Sequence, residues 1–137
     1  MKKTQILMIV ALMFGMMACD DDTSAPLECT QDDLVCTEIF ITLTFSPLDD
    51  TDSLQELDNY YSQNLDNGNI YNFSNLAGAG NIGGYIYITD AQLEEVKSSG
   101  TTIRFIGEKD GVIVVEEDFV VGHDCCHVQL IEGPLED

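Results

Sequence analysis

Apolar and polar side chains alternate along several short segments of the chain, and a period of two residues predicts β-strands. The pattern is clearest in residues 37–45, where every second side chain is apolar: Ile39, Ile41, Leu43 and Phe45. Residues 101–106 alternate in the same way, and further strands are predicted at residues 58–63, 70–73, 85–88, 112–121 and 125–131. About seven strands with short connections are typical of an all-β sandwich.

The segments between these strands carry turn and cap residues. Asp66-Asn67-Gly68-Asn69 predicts a hairpin turn, because Asn and Gly tolerate the positive φ angles that such turns need. Residues 108–111 and 122–124 predict two more turns. Residues 89–92 match a helix capping box, so we expect one short helical turn that ends before residue 100.

Residues 84–93 carry Gly84-Tyr85-x-Tyr87-x-x-Asp90 and then Leu93, a strand that runs into a short turn. This pattern resembles the transthyretin-like sandwich of carboxypeptidase regulatory-type domains. The run of residues 121–128 is similar to the end of small Bacteroidota lipoproteins with that fold. The resemblance covers about residues 36–133. It implies a transthyretin-like or Ig-like β-sandwich that is a non-catalytic module of an exported protein.

The N-terminus has the pattern of an export signal. Lys2 and Lys3 precede an almost wholly apolar segment, residues 6–17. This segment is shorter than the roughly 20 residues of a membrane-spanning helix. Met16-Met17-Ala18-Cys19 resembles a bacterial lipobox in which Met16 replaces the usual leucine. The resemblance implies cleavage after residue 18 and lipidation of Cys19. An ordinary cleaved signal peptide and an uncleaved anchor are the alternatives.

Three aspartates, residues 20–22, follow the lipobox. This acidic cluster resembles the surface-export signal of Bacteroidota lipoproteins and implies the extracellular face of the outer membrane. An aspartate directly after the cysteine also resembles the inner-membrane retention signal of enteric bacteria, so the periplasmic face is the alternative. We expect a signal peptide at 1–18, an acidic flexible tether at 19–35, the sandwich at 36–133 and a C-terminal tail at 134–137.

The charge of the chain limits its partners. The whole sequence contains 5 basic and 25 acidic residues, a net charge of −20. Loss of Lys2 and Lys3 with the signal peptide leaves Lys97, Arg104 and Lys109, and a formal charge of −22. Such a chain repels nucleic acid. The expected partners are the membrane, through the lipid, and cationic or neutral groups of an envelope protein, peptide or glycan.

Four cysteines remain beside Cys19, namely Cys29, Cys36, Cys125 and Cys126. An even number in an exported chain predicts two disulfides. Strand alternation places Cys36 and Cys125 on the less apolar faces of the first and last strands. This placement favours Cys36–Cys125 and Cys29–Cys126, and a register slip or a bulge would exchange the partners.

Metal binding is the alternative function. His123 and His127, together with thiolates, are ligand types for zinc or copper. Asp49, Asp50 and Asp52 offer oxygen ligands for calcium but lack the EF-hand spacing. No arrangement of a nucleophile and a base is indicated, so we expect no enzyme and no cofactor.

Overall fold

The computed structural model describes Cys29 and residues 34–75 and 83–134. The expected signal peptide, Cys19 and most of the expected tether lie outside the described residues. The described part contains seven strands and one 3₁₀ helix. The strands are β1 (Thr42–Phe45), β2 (Asn59–Asn64), β3 (Ile70–Tyr71), β4 (Tyr85–Thr89), β5 (Thr101–Lys109), β6 (Val112–His123) and β7 (Val128–Glu132). The 3₁₀ helix, Asp90–Glu95, follows β4.

The strands form two antiparallel sheets. β1 pairs with β4, and the larger sheet has the order β3-β2-β5-β6-β7. This arrangement confirms the predicted all-β sandwich. In the described residues, no helix is both long enough and apolar enough to cross a membrane.

The core lies between the two sheets. Along β5, Ile103 and Phe105 are fully buried, whereas the alternate residues Thr102 and Arg104 are partly exposed. The smaller sheet contributes Phe45, whose ring contacts Phe105 and Phe119 edge-on at centroid distances of 5.5 and 5.2 Å. Such aromatic contacts add to the free energy gained by burying apolar area. The alternation seen in the sequence therefore corresponds to burial in the core.

β1 is shorter than predicted. Only Thr42–Phe45 pair with β4, and Ile39 and Phe40 are 65% and 62% exposed. The partner strand ends at Thr89, which pairs with Thr42, and the chain then enters the 3₁₀ helix. Residues 37–41 have strand-like alternation but no strand beside them to complete the sheet.

The turn between β6 and β7 lies later than predicted. β6 continues to His123, and residues 124–127 make the turn. The Asp124 carboxylate accepts hydrogen bonds from the N–H groups of Cys126 and His127 at 3.0 and 2.8 Å. Cys125 has a left-handed φ of 77°. Both cysteines therefore lie in a turn and not in the last strand.

The capping box at the end of β4 is confirmed. The Thr89 hydroxyl accepts the Ala91 N–H, and the Gln92 side chain accepts the Thr89 N–H. The segment forms a 3₁₀ helix because it is too short for stable α-helical turns. Gly100, with a φ of 115°, then reverses the chain into β5.

Candidate functional site

Two disulfides join the segment before β1 to the turn after β6. Cys29 is bonded to Cys125, and Cys36 is bonded to Cys126. The prediction of two disulfides is confirmed, but the favoured pairing of Cys36 with Cys125 and Cys29 with Cys126 is wrong. The face alternation that favoured it applies to a strand, whereas Cys125 and Cys126 lie in a turn.

His123 lies beside the first disulfide. The sulfur atoms of Cys29 and Cys125 and a ring nitrogen of His123 lie within 4.8 Å of one another, and Cys29 Sγ is 3.9 Å from His123 Nδ1. Among the described residues, this is the group of three potential metal ligands that the fold brings together. The bonded sulfurs are not thiolates, and His123 Nδ1 accepts the Cys125 N–H at 3.0 Å. In this oxidised form the group is a structural unit.

His127 belongs to a separate hydrogen-bonded network around Asp90. His127 Nδ1 lies 2.7 Å from Asp90 Oδ2. Because a carboxylate only accepts, Nδ1 carries the proton. His127 Nε2 lies 2.9 Å from the Thr37 hydroxyl, which donates to it when Nε2 carries no proton. Thr37, His127 and Asp90 thus follow the order hydroxyl, imidazole, carboxylate of a hydrolase triad. None of these three side chains is among those that line the groove between Thr42–Phe45 and residues 130–134.

Asp90 also joins the two sheets through backbone contacts. Its carboxylate accepts the Ile41 N–H at 2.7 Å and the Val128 N–H at 2.8 Å. Ile41 directly precedes β1 and Val128 begins β7, so one carboxylate holds strands of both sheets. This is the arrangement of a structural clamp, and the sequence contains no local signal for it.

The hydrogen bonds around Asp90 outweigh its burial. Burial is the largest single effect and raises the pKa, but the bonds from the Ile41 N–H, His127 and the Val128 N–H together hold the pKa of Asp90 below its ordinary value of 3.8. The carboxylate is therefore ionised at neutral pH and is stabilised in the folded state.

The proposed calcium ligands form a compact loop. One oxygen of Asp49 accepts hydrogen bonds from the Thr51 N–H, the Thr51 hydroxyl and the Ser53 N–H at 2.8, 2.6 and 3.1 Å. The Thr51 hydroxyl, with the two N–H groups, lowers the pKa of Asp49. In the described chain, Asp49, Asp50 and Asp52 do not converge as a group of three ligands. Asp49 caps the loop between Leu48 and Leu54, which form a β-bridge.

The tyrosines belong mainly to the core. Tyr60, Tyr71 and Tyr87 are buried, and Tyr61 and Tyr85 are partly buried. Tyr71 donates to the Glu95 carboxylate at 2.7 Å. Burial, together with this bond, raises the pKa of Tyr71 to about 12. The tyrosines therefore contribute mainly to packing and not to an exposed aromatic surface.

An open groove lies where the edge of β1 approaches the edge of β7. Its volume is about 620 Å³, within the range of ligand sites. One wall consists of Thr42–Phe45 and the other of residues 130–134. Tyr87 and Phe119 line it from the core, and their rings stack at a centroid distance of 4.2 Å. No sequence motif marked this groove, because its two walls are far apart in the chain.

Comparison with protein-family models, with curated proteins and with solved structures finds no match to this chain.

Proposed function

We propose that this protein is a lipid-anchored protein of the bacterial cell envelope, with a non-catalytic β-sandwich that serves as a binding module. The lipobox-like segment that ends at Cys19 supports the anchor, and residues 20–22 support export to the extracellular face of the outer membrane. The resemblance of residues 84–93 and 121–128 to transthyretin-like lipoproteins supports the same class of module.

The two disulfides are the observation that carries this proposal. Disulfides of this kind persist outside the reducing cytoplasm. Cys29 lies only ten positions after Cys19 in the sequence and is bonded to Cys125. A force on the lipid anchor would therefore be transmitted to the turn between β6 and β7 through a covalent bond. This connection suits a module that is held at a membrane surface.

The anchor is tested by replacing Cys19. We expect metabolic labelling with a palmitate analogue to mark the protein. Cys19→Ala should abolish the label and release the protein from the membrane fraction, because it removes the residue that would carry the acyl chains whose burial supplies the membrane affinity. Ser24→Ala is the matched control and should keep both properties. Membrane attachment that survives Cys19→Ala would contradict the anchor.

The face of the membrane is tested by protease treatment of intact and permeabilised cells. On the extracellular face, the sandwich should be degraded in intact cells at the same protease concentration as in permeabilised ones. Protection that is lost only after permeabilisation would place the module on the periplasmic face.

Metal binding is the second candidate, because Cys29, Cys125 and His123 lie together. Two-electron reduction of the disulfide by a dithiol yields two thiols, and a bound Zn²⁺ would displace their two protons. We expect Zn²⁺ binding only after reduction, in a Cys36→Ser/Cys126→Ser background, and weaker binding in that background with His123→Ala. Zinc binding by the reduced protein that does not change with His123→Ala would eliminate this site.

A further inference from the structure

We propose that the groove between β1 and β7 binds an extended, basic polypeptide segment of another envelope protein, with apolar side chains at alternate positions. This inference rests on the proposed role as a binding module, and it names the class of ligand.

The walls of the groove are strand edges. Four consecutive residues of β1, Thr42–Phe45, and five consecutive residues, 130–134, line it. The face of a strand would present only alternate residues, because successive side chains point to opposite sides. Within the described chain, β1 pairs only with β4, and β7 pairs only with β6. Each wall therefore exposes an unpaired backbone edge, which is the feature to which an extended peptide adds as a strand.

The floor of the groove suits apolar side chains. The rings of Tyr87, Phe119 and Phe45 close the bottom of the groove but are almost fully buried, so the apolar surface offered to a ligand comes mainly from β7. Leu130 and Ile131 are large apolar side chains on the β7 wall, and they are 48% and 54% exposed. A bound strand would direct every second side chain toward this floor and the others toward solvent. The groove therefore favours a peptide with apolar side chains at alternate positions.

The charge around the groove selects a basic ligand. Glu132 lines the β7 wall. Glu132 is exposed, and no basic residue is among the described residues that line the groove. The three basic residues of the described domain all form ion pairs elsewhere: Lys97 with Asp66, Arg104 with Asp118 and Glu116, and Lys109 with Glu56. None of them neutralises Glu132.

The same charge disfavours a second copy of this chain as the ligand. Each mature chain has a formal charge of −22 by sequence, and like charges brought together at an interface are unfavourable. A segment with Lys or Arg between apolar residues combines backbone pairing, apolar contacts and charge complementarity.

The test compares two synthetic peptides of about ten residues, long enough to cover one strand edge. One alternates Val with Lys and the other alternates Val with Glu. Binding to the full-length lipoprotein in neutral detergent is measured by fluorescence anisotropy. We expect the Val/Lys peptide to bind at least about tenfold more tightly than the Val/Glu peptide. Equal affinities, or no binding of either peptide, would overturn the proposal.

A charge-reversal variant separates the groove from the general acidity of the protein. Glu132→Lys should reduce binding of the Val/Lys peptide by about tenfold and improve binding of the Val/Glu peptide. The control Asp50→Lys changes the net charge equally at an exposed position outside the groove lining. If both variants weaken Val/Lys binding equally, the groove is not the site.

Hydrogen exchange gives the location independently. The Val/Lys peptide should protect backbone amides of β1 or β7. Protection confined to residues 112–118, where β6 extends beyond its pairing with β7, would assign the peptide to a different edge and refute the groove. Membrane release by Cys19→Ala does not depend on these results, so failure here is distinguishable from failure of the proposed anchoring.

Discussion

Removal of both disulfides is expected to lower the free energy of unfolding by about 7 kcal/mol, whereas removal of either one alone should lower it by only about 3 kcal/mol. The variants are Cys29→Ser/Cys125→Ser, Cys36→Ser/Cys126→Ser and the combination of all four substitutions. Replacement in bonded pairs avoids a free cysteine that could exchange with the remaining disulfide.

The reason is that the two disulfides close nearly the same loop. Their sequence separations are 96 and 90 residues, and Cys125 and Cys126 are neighbours. When one disulfide is present, the other closes only a loop of about ten residues, which in the chain-entropy account contributes about 2.7 kcal/mol. When neither is present, the constraint on the long loop is also lost, and that constraint contributes about 4.6 kcal/mol.

Urea denaturation of the oxidised mature chain measures these differences. The decrease in the free energy of unfolding of the variant without disulfides should exceed the sum of the decreases in the two pair variants by about 2 kcal/mol. The stability of a domain is typically about 5–15 kcal/mol, so a loss of about 7 kcal/mol is roughly half of it or more. Strict additivity of the two pair variants would contradict the shared-loop explanation, and the reduced wild-type protein serves as the control for the variant without disulfides.

Asp90→Ala is expected to lower the free energy of unfolding by about 3–5 kcal/mol, a large effect for a single substitution. Without the carboxylate, the N–H groups of Ile41 and Val128 and the ring of His127 lose their acceptor. Each buried donor left unpaired costs about 1–3 kcal/mol. Asp90→Asn keeps one acceptor oxygen and should lie between Asp90→Ala and the wild type.

The contribution of Asp90 should also depend on pH. Its pKa in the folded state is held below the ordinary value of 3.8, so the unfolded state binds more protons as the pH falls toward and below that value. The stabilisation is therefore complete above about pH 5 and is lost as the pH falls through the folded-state pKa. The difference in stability between the wild type and Asp90→Ala should shrink with acidification.

Chemical denaturation at pH 7 and near pH 3 tests this prediction. Glu94→Ala, an exposed carboxylate on the same 3₁₀ helix, is the control and should change stability by no more than about 0.5 kcal/mol. A loss for Asp90→Ala that is small at pH 7, or that is the same at both pH values, would show that Asp90 is not the clamp between the sheets.

Several elements could be predicted because their signals are local. The predicted strands locate β2, β4 and β5 to within one residue of their observed starts, and in β2 and the first half of β5 alternation corresponds to burial on one face of the strand. The capping box at Thr89 was identified because its donors and acceptors are three residues apart. The number of disulfides followed from the four cysteines that remain beside Cys19 in a chain with an export-like start.

By itself, the sequence determined the fold class, the positions of most strands, the presence of two disulfides and the acidic character of the domain. These properties depend on composition and on residues close together in the chain. Only the tertiary structure decided that β1 begins at Thr42, that Cys29 pairs with Cys125, that Asp90 holds both sheets and that a groove opens between β1 and β7. Each depends on which distant segments meet and on where their partner strands end, and a local pattern contains no information about either.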